Sequence, residues 1–166
     1  ILRNVLAIKF FRVIESLVYK HATRIVVHSE GNSQEIKANV PDPSRVLVLH
    51  NWVDLDAYSQ STDGQGFAAK HNLEGLFLVL FAGVMGYAQD LENVIMAAKE
   101  LQHETQIVFL LIGDGIEKAE LVEKTKSLGL SNVRFLPWVP PKEYPRVVSE
   151  SHVGLVTLKQ TMKTPV

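Results

Sequence analysis

Two glycine-bearing segments in the second half of the sequence could bind a phosphate group. The first segment, Gly83-Val84-Met85-Gly86-Tyr87, follows an apolar run and lies just before a helical pattern that begins at Gln89. The second segment, Gly113-Asp114-Gly115, follows another apolar run. Glycine lets a ligand approach the backbone closely, and free N–H groups at a helix start favour an anion. Neither segment completes a dinucleotide-binding or P-loop motif, so tight strand-to-helix turning is the alternative explanation.

Three other positions have side chains suited to hydroxyl groups, a planar base or an anion. Asp114 could accept hydrogen bonds from sugar hydroxyls, although a capping box with Glu117 is the alternative. Trp138, followed by Val139, lies where a planar base could lodge, and core packing is the alternative. Lys159 ends the last apolar run and could neutralise a diphosphate, although a lysine on a loop is often simply solvated.

Polar residues in the first third of the chain form a second, weaker set of candidates. His28-Ser29 and His50-Asn51 each follow a short apolar segment, and Asp54 comes soon after. If those segments are adjacent strands, Ser29, Asn51 and Asp54 would face a cleft between two units. Each of these residues, considered alone, more often has a structural role than a functional one. The six histidines show no metal-binding spacing, and no nucleophile elbow is present.

The elements that position the main candidates follow a regular βα alternation. Strands are predicted at 76–82, 107–112, 133–136 and 153–158, and helices at 89–102, 117–128 and from Pro141 to about 149. Each interval is long enough for a helical crossover, which predicts parallel strands. Their almost continuous apolar character predicts that both faces of the sheet are covered. The carboxyl ends of parallel strands share one edge, so the candidate loops, including 159–161, should gather there.

The first part of the chain has a different pattern. A helix is predicted over 5–19, a strand over 25–27, a helix capped by Asn32 and Glu35 that ends near Asn39, and a strand over 46–49. The polar segment 54–66 is interpreted as a linker between two units. The predicted fold class is therefore α/β, with a Rossmann-like, doubly wound parallel sheet that is expected to be incomplete at both ends.

Composition excludes several classes of protein. The chain has 166 residues, 46% of them hydrophobic, a net charge of −1 and no cysteine. These values exclude a disulfide scaffold, a cysteine-ligated zinc site and a thiol nucleophile, and they provide no basic field for nucleic acid. No apolar run approaches the roughly 18 residues of a transmembrane helix, and the N-terminus does not have the pattern of a signal peptide. Residues 1–24 contain five basic residues and one acidic residue, Glu15.

Six segments together resemble the group 1 (family 4) glycosyltransferases of the GT-B fold, and the nearest branch is that of bacterial cell-surface polysaccharide assembly. The similar segments occur in the same order along most of the chain. They are 24–32 (RIVVHSEGN), 50–54 (HNWVD), 81–92 (FAGVMGYAQDLE), 109–115 (FLLIGDG), 132–137 (NVRFLP) and 153–159 (VGLVTLK).

This resemblance implies two facing domains with a nucleotide sugar bound to the C-terminal one. Residues 1–51 would be the last part of the acceptor domain, 52–66 the hinge, and 67–166 the first half of the donor domain. Gly83 to Gly86 would lie under the donor phosphates, with Gly113, Asp114 and Gly115 beside them. Many members have an arginine and a lysine near positions 84 and 89, where this chain has Val84 and Gln89. The paired glutamates of the family would follow Val166, so this piece is expected to be inactive alone.

The expected activity is retaining transfer of a hexose from a nucleotide diphosphate donor, expected to be a UDP-sugar, to a lipid-linked or saccharide acceptor. The donor-binding residues would be Gly83, Met85, Gly86, Gln89, Gly113, Asp114, Gly115, Trp138, Val139 and Lys159. No cofactor or metal and no nucleic acid partner is expected, and the catalytic residues are not identified. The expected location is the cytoplasm, including the inner face of the membrane, because helix 5–19 could contact an anionic membrane. Packing of this helix within its own domain is the favoured alternative. A non-enzymatic partner-binding module and a dinucleotide-binding oxidoreductase are the alternative functions.

Overall fold

The computed structural model describes residues 5–59 and 66–159, which divide into two compact units. One unit is formed by the residues up to Val53 and the other by the residues from Asp54 onward. The predicted linker 54–66 contains a short helix, α3 (Asp56–Ser59), which contacts a helix of the second unit. Residues 60–65 of that predicted linker lie outside the described residues, as do 160 and 161 of the last predicted loop.

The first unit contains two helices and a pair of parallel strands. Its elements are α1 (Val5–His21), β1 (Ile25–Val27), α2 (Glu30–Lys37), a 3-10 turn (Pro43–Arg45) and β2 (Val46–Val48). The two strands are adjacent, because β1 pairs with β2 in parallel. The predicted cap of α2 is wrong: Ser29, not Asn32, caps this helix by accepting a hydrogen bond from the N–H of Asn32.

The second unit is a four-stranded parallel sheet with helices on both faces. After α3 and α4 (Phe67–Lys70), its elements are β3 (Phe77–Val84), α5 (Leu91–Glu100), β4 (Ile107–Asp114), α6 (Lys118–Ser127), β5 (Val133–Leu136), α7 (Tyr144–Ser149) and β6 (Val153–Gly154). The strand order is β5-β4-β3-β6, and every pairing is parallel. The predicted parallel α/β sheet is thus confirmed.

Alternate residues of the strands point to two separate cores. Val79, Phe81, Phe109 and Leu111 pack with buried residues of α5 and α6 on one face. Leu78, Leu80, Val108, Leu110 and Ile112 pack with Phe67 of α4 and Val147 of α7 on the other face. Because each strand is covered on both faces, its sequence is apolar at nearly every position, as expected for a parallel sheet.

The order of the strands creates a switch point at β3. The chain moves from β3 to β4 and β5 on one side, and then returns through α7 to place β6 on the other side of β3. In open α/β sheets, ligands bind beyond the carboxyl ends of the strands where the strand order reverses in this way. The strand order therefore predicts a ligand site in the gap between the ends of β3 and β6.

The predicted ends of several elements are wrong by a few residues. Strands β3 and β4 continue two residues further than predicted, so Gly83, Val84, Gly113 and Asp114 belong to strands and not to loops. Strand β6 has only two residues instead of six, and α7 begins at Tyr144, so that Pro145 and not Pro141 lies in its first turn. The predicted end of α6 at Gly129 is confirmed, because this glycine adopts φ +66° just after the helix.

Glu150 connects the end of α7 to the start of α4. Its two carboxylate oxygens accept hydrogen bonds from the N–H groups of Phe67 and Ala68, at 3.1 and 2.6 Å, and Arg146 donates to the same carboxylate at 3.0 Å. Burial raises the pKa of Glu150, but the hydrogen bonds from Ala68, Arg146 and Phe67 and the charge of Arg146 more than offset it, so the pKa lies below its ordinary value.

We expect the Glu150→Gln variant to be less stable than the wild type at neutral pH by about 1–2 kcal/mol, because three donors lose a charged acceptor. A depressed pKa gives stability that is present above the unfolded-state value of 4.5 and is lost as the pH falls through the folded-state value. The variant should therefore show a flatter decline of unfolding free energy in acid, measured by urea unfolding at several pH values. Glu100→Gln, at an exposed glutamate of α5, is the control. An unchanged acid limb in Glu150→Gln would contradict this role.

Candidate functional site

The carboxyl ends of β3 and β4 bring the two glycine-bearing segments together. Gly83 is the register partner of Gly113, and Val84 is the partner of Asp114. Met85 continues this pairing by donating its N–H to the carbonyl of Asp114 at 2.8 Å. Because β5 and β6 run in the same direction, the segments that follow them leave the sheet at this edge as well. The predicted gathering of the loops at one edge is confirmed.

Gly113 and Gly115 are needed for the close approach of two backbone segments. Their φ angles are +137° and +156°. A Cβ atom on Gly113 would collide with the carbonyl oxygen of Gly83, and one on Gly115 would collide with the carbonyl oxygen of Met85. Gly83 itself is different, since an added Cβ would meet only the Phe81 ring at an ordinary distance of 3.5 Å. Packing therefore explains Gly113 and Gly115 whether or not a ligand is present.

Met85 was a predicted donor-binding residue, but it lies in the core. Its side chain is 0% exposed and packs with the cluster that α5 and α6 cover. Its N–H donates to Asp114, and its carbonyl accepts from the N–H of Glu117 at 3.1 Å. A side chain buried in this way cannot reach a ligand at the surface, so Met85 is corrected from a contact residue to one that shapes the loop.

The alternative explanation of Asp114, a capping box with Glu117, is wrong. Asp114 accepts a hydrogen bond from the adjacent N–H of Gly115 at 2.8 Å, and the residue before α6, Glu117, makes no side-chain cap bond. Lys118 instead bonds the carbonyl of Gly113 at 2.7 Å. Asp114 is exposed at the sheet edge, so its carboxylate is accessible to a ligand there and does not cap the helix.

The loop between β3 and α5 presents backbone N–H groups at the switch point. Gln89 donates its N–H to the carbonyl of Gly86 at 3.1 Å, which closes a turn. Within 5–59 and 66–159, the N–H groups of Gly86 and Tyr87 have no acceptor. Asp90 precedes α5 in a left-handed conformation with φ +52° and makes no side-chain cap bond. Within the described residues, the N–H groups of Leu91 and Glu92 in α5 are likewise left for another partner, whereas that of Asn93 donates to the carbonyl of Asp90 at 3.2 Å.

The segment after β6 runs beside this loop. The N–H of Lys159 donates to the carbonyl of Ala88 at 2.8 Å, and the hydroxyl of Thr157 donates to the carbonyl of Gln89 at 2.5 Å. These bonds bring Lys159 to the turn that contains Gly86 and Gln89. The structure thus assembles three of the predicted donor residues, Gly86, Gln89 and Lys159, around the switch point.

Two lysines act on the carboxylate of Glu92 at the start of α5, where Asp90 supplies a second carboxylate. Lys124 of α6 forms an ion pair with Glu92 in the first turn of α5. The hydrogen bond and the charge of Lys124 hold the pKa of Glu92 below its ordinary value, and the charge of Lys159 lowers it further. The hydrogen bond from the N–H of Lys159 to the carbonyl of Ala88 places this residue beside the loop that leads into α5.

Trp138 and Val139 follow β5, which lies two strands away from β3. Trp138 is 56% exposed, whereas Val139 is partly buried against the core that α7 covers. Phe135 of β5 is partly buried against the other core. The indole is thus accessible at the same edge of the sheet, on the far side of β4 from Lys159.

The candidates of the first third of the chain have local structural partners. Ser29 caps α2, and His28 and His50 each make a ring hydrogen bond with a carbonyl across the β1–β2 pair, to Leu49 and His28 respectively. Asn51 is exposed. Asp54, in the second unit, accepts a hydrogen bond from the N–H of Asp56 at 3.0 Å. Across 5–59 and 66–159, no group of three His, Cys, Asp or Glu side chains is placed to hold a metal ion.

Comparison with known proteins identifies the family. Residues 65–159 match the family model described as glycosyl transferases group 1. The chain belongs to this family. The matched range contains the whole four-stranded sheet and every predicted donor-side residue. The resemblance stated from the sequence is confirmed, and the family favours glycosyl transfer over the two alternative functions.

Relatives and solved structures agree with this assignment. Putative colanic acid biosynthesis glycosyl transferase WcaI of Escherichia coli K12 is 29% identical over 118 residues, which cover 69% of this chain and 29% of that protein. Probable glycosyltransferase WbjE of Pseudomonas aeruginosa is 26% identical over 165 residues, 96% of this chain and 40% of that protein.

The solved structures establish the fold. HepE of Anabaena in complex with UDP and glucose superposes with a TM-score of 0.77 at 18% identity and covers 90% of this chain and 42% of its own. WaaG, a glycosyltransferase involved in lipopolysaccharide biosynthesis, gives 0.76 at 15% identity, with 92% and 43% covered. The fold is thus the GT-B type expected from the resemblance. The chain spans less than half the length of the relatives it matches.

One residue at this edge of the sheet was not predicted from the sequence. Thr157 was counted only as part of a predicted apolar strand, yet its hydroxyl reaches the loop before α5. The signal was a single hydroxyl side chain within the apolar run 153–158. A second missed feature, the Glu92–Lys124 pair, joins residues 32 positions apart and has no local signal.

Proposed function

We propose that the protein transfers a sugar from a UDP-sugar to a saccharide or lipid-linked acceptor. The observation that carries this proposal is the coincidence of the family match, 65–159, with a sheet whose switch point collects Gly86, Gln89 and Lys159. HepE was crystallised in complex with UDP and glucose, and WaaG is involved in lipopolysaccharide biosynthesis. These properties of two proteins that share the fold support the proposed donor and the broad class of acceptor.

The diphosphate of the donor would lie between the loop before α5 and Lys159. The N–H groups of Gly86 and Tyr87 and the first turn of α5 would donate to phosphate oxygens. Because Val84 and Gln89 replace the cations found in many family members, the ammonium of Lys159 would supply the positive charge in this chain. Asp114 would accept from sugar hydroxyls, and Trp138 with Val139 would bound the base.

The proposed chemistry is retaining transfer with electrostatic catalysis. The bond between the anomeric carbon and the diphosphate oxygen breaks, the acceptor oxygen forms a bond on the same face of the sugar, and the acceptor proton passes to an oxygen of the departing diphosphate. Charge develops on the departing diphosphate, and fixed amide dipoles with a lysine stabilise it most effectively. Independence from metal ions and the retained stereochemistry are part of the proposal. Proton NMR of the first product anomer, with and without EDTA, tests both.

Calorimetric titration of the full-length protein with UDP tests the donor assignment. Binding in the micromolar to millimolar range, competed by a UDP-sugar, is expected. NADH titrated in parallel distinguishes the oxidoreductase alternative. A full-length protein that binds no UDP at millimolar concentration, or that binds NADH more tightly, would overturn the proposal. The present 166-residue chain should show no transfer by itself, because the paired glutamates of the family are expected beyond it.

The acceptor is proposed to bind the first unit, where Ser29 and Asn51 were predicted to contribute. The structure leaves the apolar side of α1 uncovered within the part of the chain it describes. Exposed residues on that side are Phe10, Phe11, Val13, Ile14, Leu17 and Val18. Glu15 and Tyr19, joined by a 3.0 Å hydrogen bond, are less exposed. We expect this apolar side of α1 to be buried against another surface. The sequence favours another part of the same domain over a membrane.

Vesicle co-sedimentation of the full-length protein distinguishes membrane contact of α1 from packing within its own domain. None of the helices in 5–59 or 66–159 is long and apolar enough to cross a membrane, so any membrane contact of α1 would be peripheral. Binding to phosphatidylglycerol vesicles, but not to phosphatidylcholine vesicles, would support contact at the cytoplasmic membrane face. Absence of binding to either would support packing within the domain.

A further inference from the structure

The segment after β6 is bonded to the β3 side of the sheet well beyond the strand pairing itself. Only Val153 and Gly154 pair with β3, opposite Val79 and Leu80. The N–H of Leu155 then donates to the carbonyl of Leu80 at 2.7 Å. Thr157 and Lys159 continue past the end of this pairing and donate to the loop that follows β3, not to β3 itself. Two successive loop carbonyls, those of Ala88 and Gln89, are the acceptors.

These bonds act on the turn that leads into α5. The turn is closed internally by the bond from the N–H of Gln89 to the carbonyl of Gly86 at 3.1 Å. Thr157 and Lys159 hold the other side of the same turn. The Lys159 bond uses a backbone N–H and is independent of side-chain type, whereas the Thr157 bond depends on its hydroxyl. Thr157 is therefore the one side chain whose chemistry fastens the segment before Lys159 to this turn within 5–59 and 66–159.

We propose that Thr157 is a positioning residue for the nucleotide diphosphate of the donor. Its hydroxyl keeps the Gly86–Gln89 turn beside Lys159, so that backbone amides and the ammonium group act on the same diphosphate. This inference rests on the proposed function. It identifies a side chain that holds the Gly86–Gln89 turn and the segment before Lys159 together. Thr157 touches neither the diphosphate nor the sugar in this role, and it acts only through Gln89 and the chain that leads to Lys159.

A hydroxyl side chain suits position 157 better than an apolar one. Thr157 is partly buried, and a partly buried carbonyl that loses its donor is costly. The rest of the segment has apolar side chains, and valine would suit its extended backbone as well as threonine does. Valine has nearly the same shape but no donor, so it isolates the hydrogen bond from the packing of the side chain.

The test compares Thr157→Val and Thr157→Ser in the full-length protein. We expect Thr157→Val to weaken UDP binding roughly three- to ten-fold and to raise the KM for the UDP-sugar by a similar factor, with a smaller change in kcat. Thr157→Ser keeps the hydroxyl and should restore both values to within about two-fold. Thr125→Val is a matched control, because it removes another threonine hydroxyl that bonds only the carbonyl of Leu121 within α6.

Each result separates this inference from the proposed function. If the wild type does not bind UDP, both are overturned. If the wild type binds UDP and Thr157→Val binds it equally well, the positioning role alone is overturned. Equal losses in Thr157→Val and Thr157→Ser would also overturn it, because the methyl packing and not the hydrogen bond would then be at fault. Should Thr157→Val fail to fold, Thr157→Ala against Thr157→Ser at a lower temperature provides the same comparison.

Discussion

Gly113→Ala is expected to destabilise the second unit by at least about 3 kcal/mol, which is a large effect for the addition of one methyl group. Gly113 is buried at the end of β4 with φ +137°. An added Cβ would collide with the carbonyl oxygen of Gly83, its register partner in β3. Relief would require the two central strands to separate where the sheet is covered on both faces. Denaturant unfolding followed by circular dichroism measures the loss.

Gly83→Ala provides a matched control for this prediction, because the two glycines face each other across the same pair of strands. The same methyl group on Gly83 would meet only the Phe81 ring at 3.5 Å, and its φ lies outside the left-handed region. Its effect on the free energy of unfolding should stay below about 1 kcal/mol. Equal stability of Gly113→Ala and Gly83→Ala would show that the close approach does not constrain the sheet.

The parallel sheet could be predicted from the sequence because its signal is repeated. Each of the longer strands, such as 107–112, is apolar at nearly every position, and each is followed by a helix with one apolar face. Those two patterns together leave few alternatives to a sheet covered on both sides. The switch point could not be predicted from spacing, since spacing says that strands are parallel but not on which side of β3 the last one lies.

Errors arose where several local solutions were chemically equivalent. Ser29 and Asn32 are both good capping residues, and Ser29 is the one that has the extended backbone of a cap, with φ −148° and ψ 158°. Asp114 with Glu117 has the spacing of a capping box, but the approach of Met85 to Gly115 places the Asp114 carboxylate against its neighbouring N–H. The extra residues of β3 and β4 likewise come from pairing between distant segments, which no window of sequence contains.

The structure also divides the predicted phosphate-binding glycines into two kinds. Gly113 and Gly115 are required by backbone contact, so their presence provides little support for a ligand. Gly83 and Gly86 have no such requirement, because neither has a positive φ or a backbone atom against its missing side chain. Contacts within the described residues therefore do not account for a glycine at position 86, on the turn beside Lys159.

This distinction leads to the second large effect, which is expected on binding and not on stability. Gly86→Val should weaken UDP binding by the full-length protein at least about ten-fold, because two methyl groups would occupy the space that a diphosphate needs beside the loop amides. The free energy of unfolding should change by less than about 1 kcal/mol. A Cβ at this position would approach only the Oε1 atom of Gln89, at 3.2 Å, and the Cγ1 atom of Val84, at 3.9 Å. The Gln89 contact is with the far end of a flexible side chain that can move away.

A size series makes this prediction specific to the loop. Gly86→Ala should fall between the wild type and Gly86→Val in the Kd for UDP, because steric exclusion grows with the side chain. Gly154→Val, in β6 with open space around the missing side chain, should leave the Kd unchanged. A folded Gly86→Val protein with the wild-type Kd would show that the loop is not part of the phosphate site. The proposed joint action of Lys159 and the backbone amides would then be wrong. A loss of affinity matched by an equal loss of stability would instead assign Gly86 to the turn, as packing already assigns Gly113.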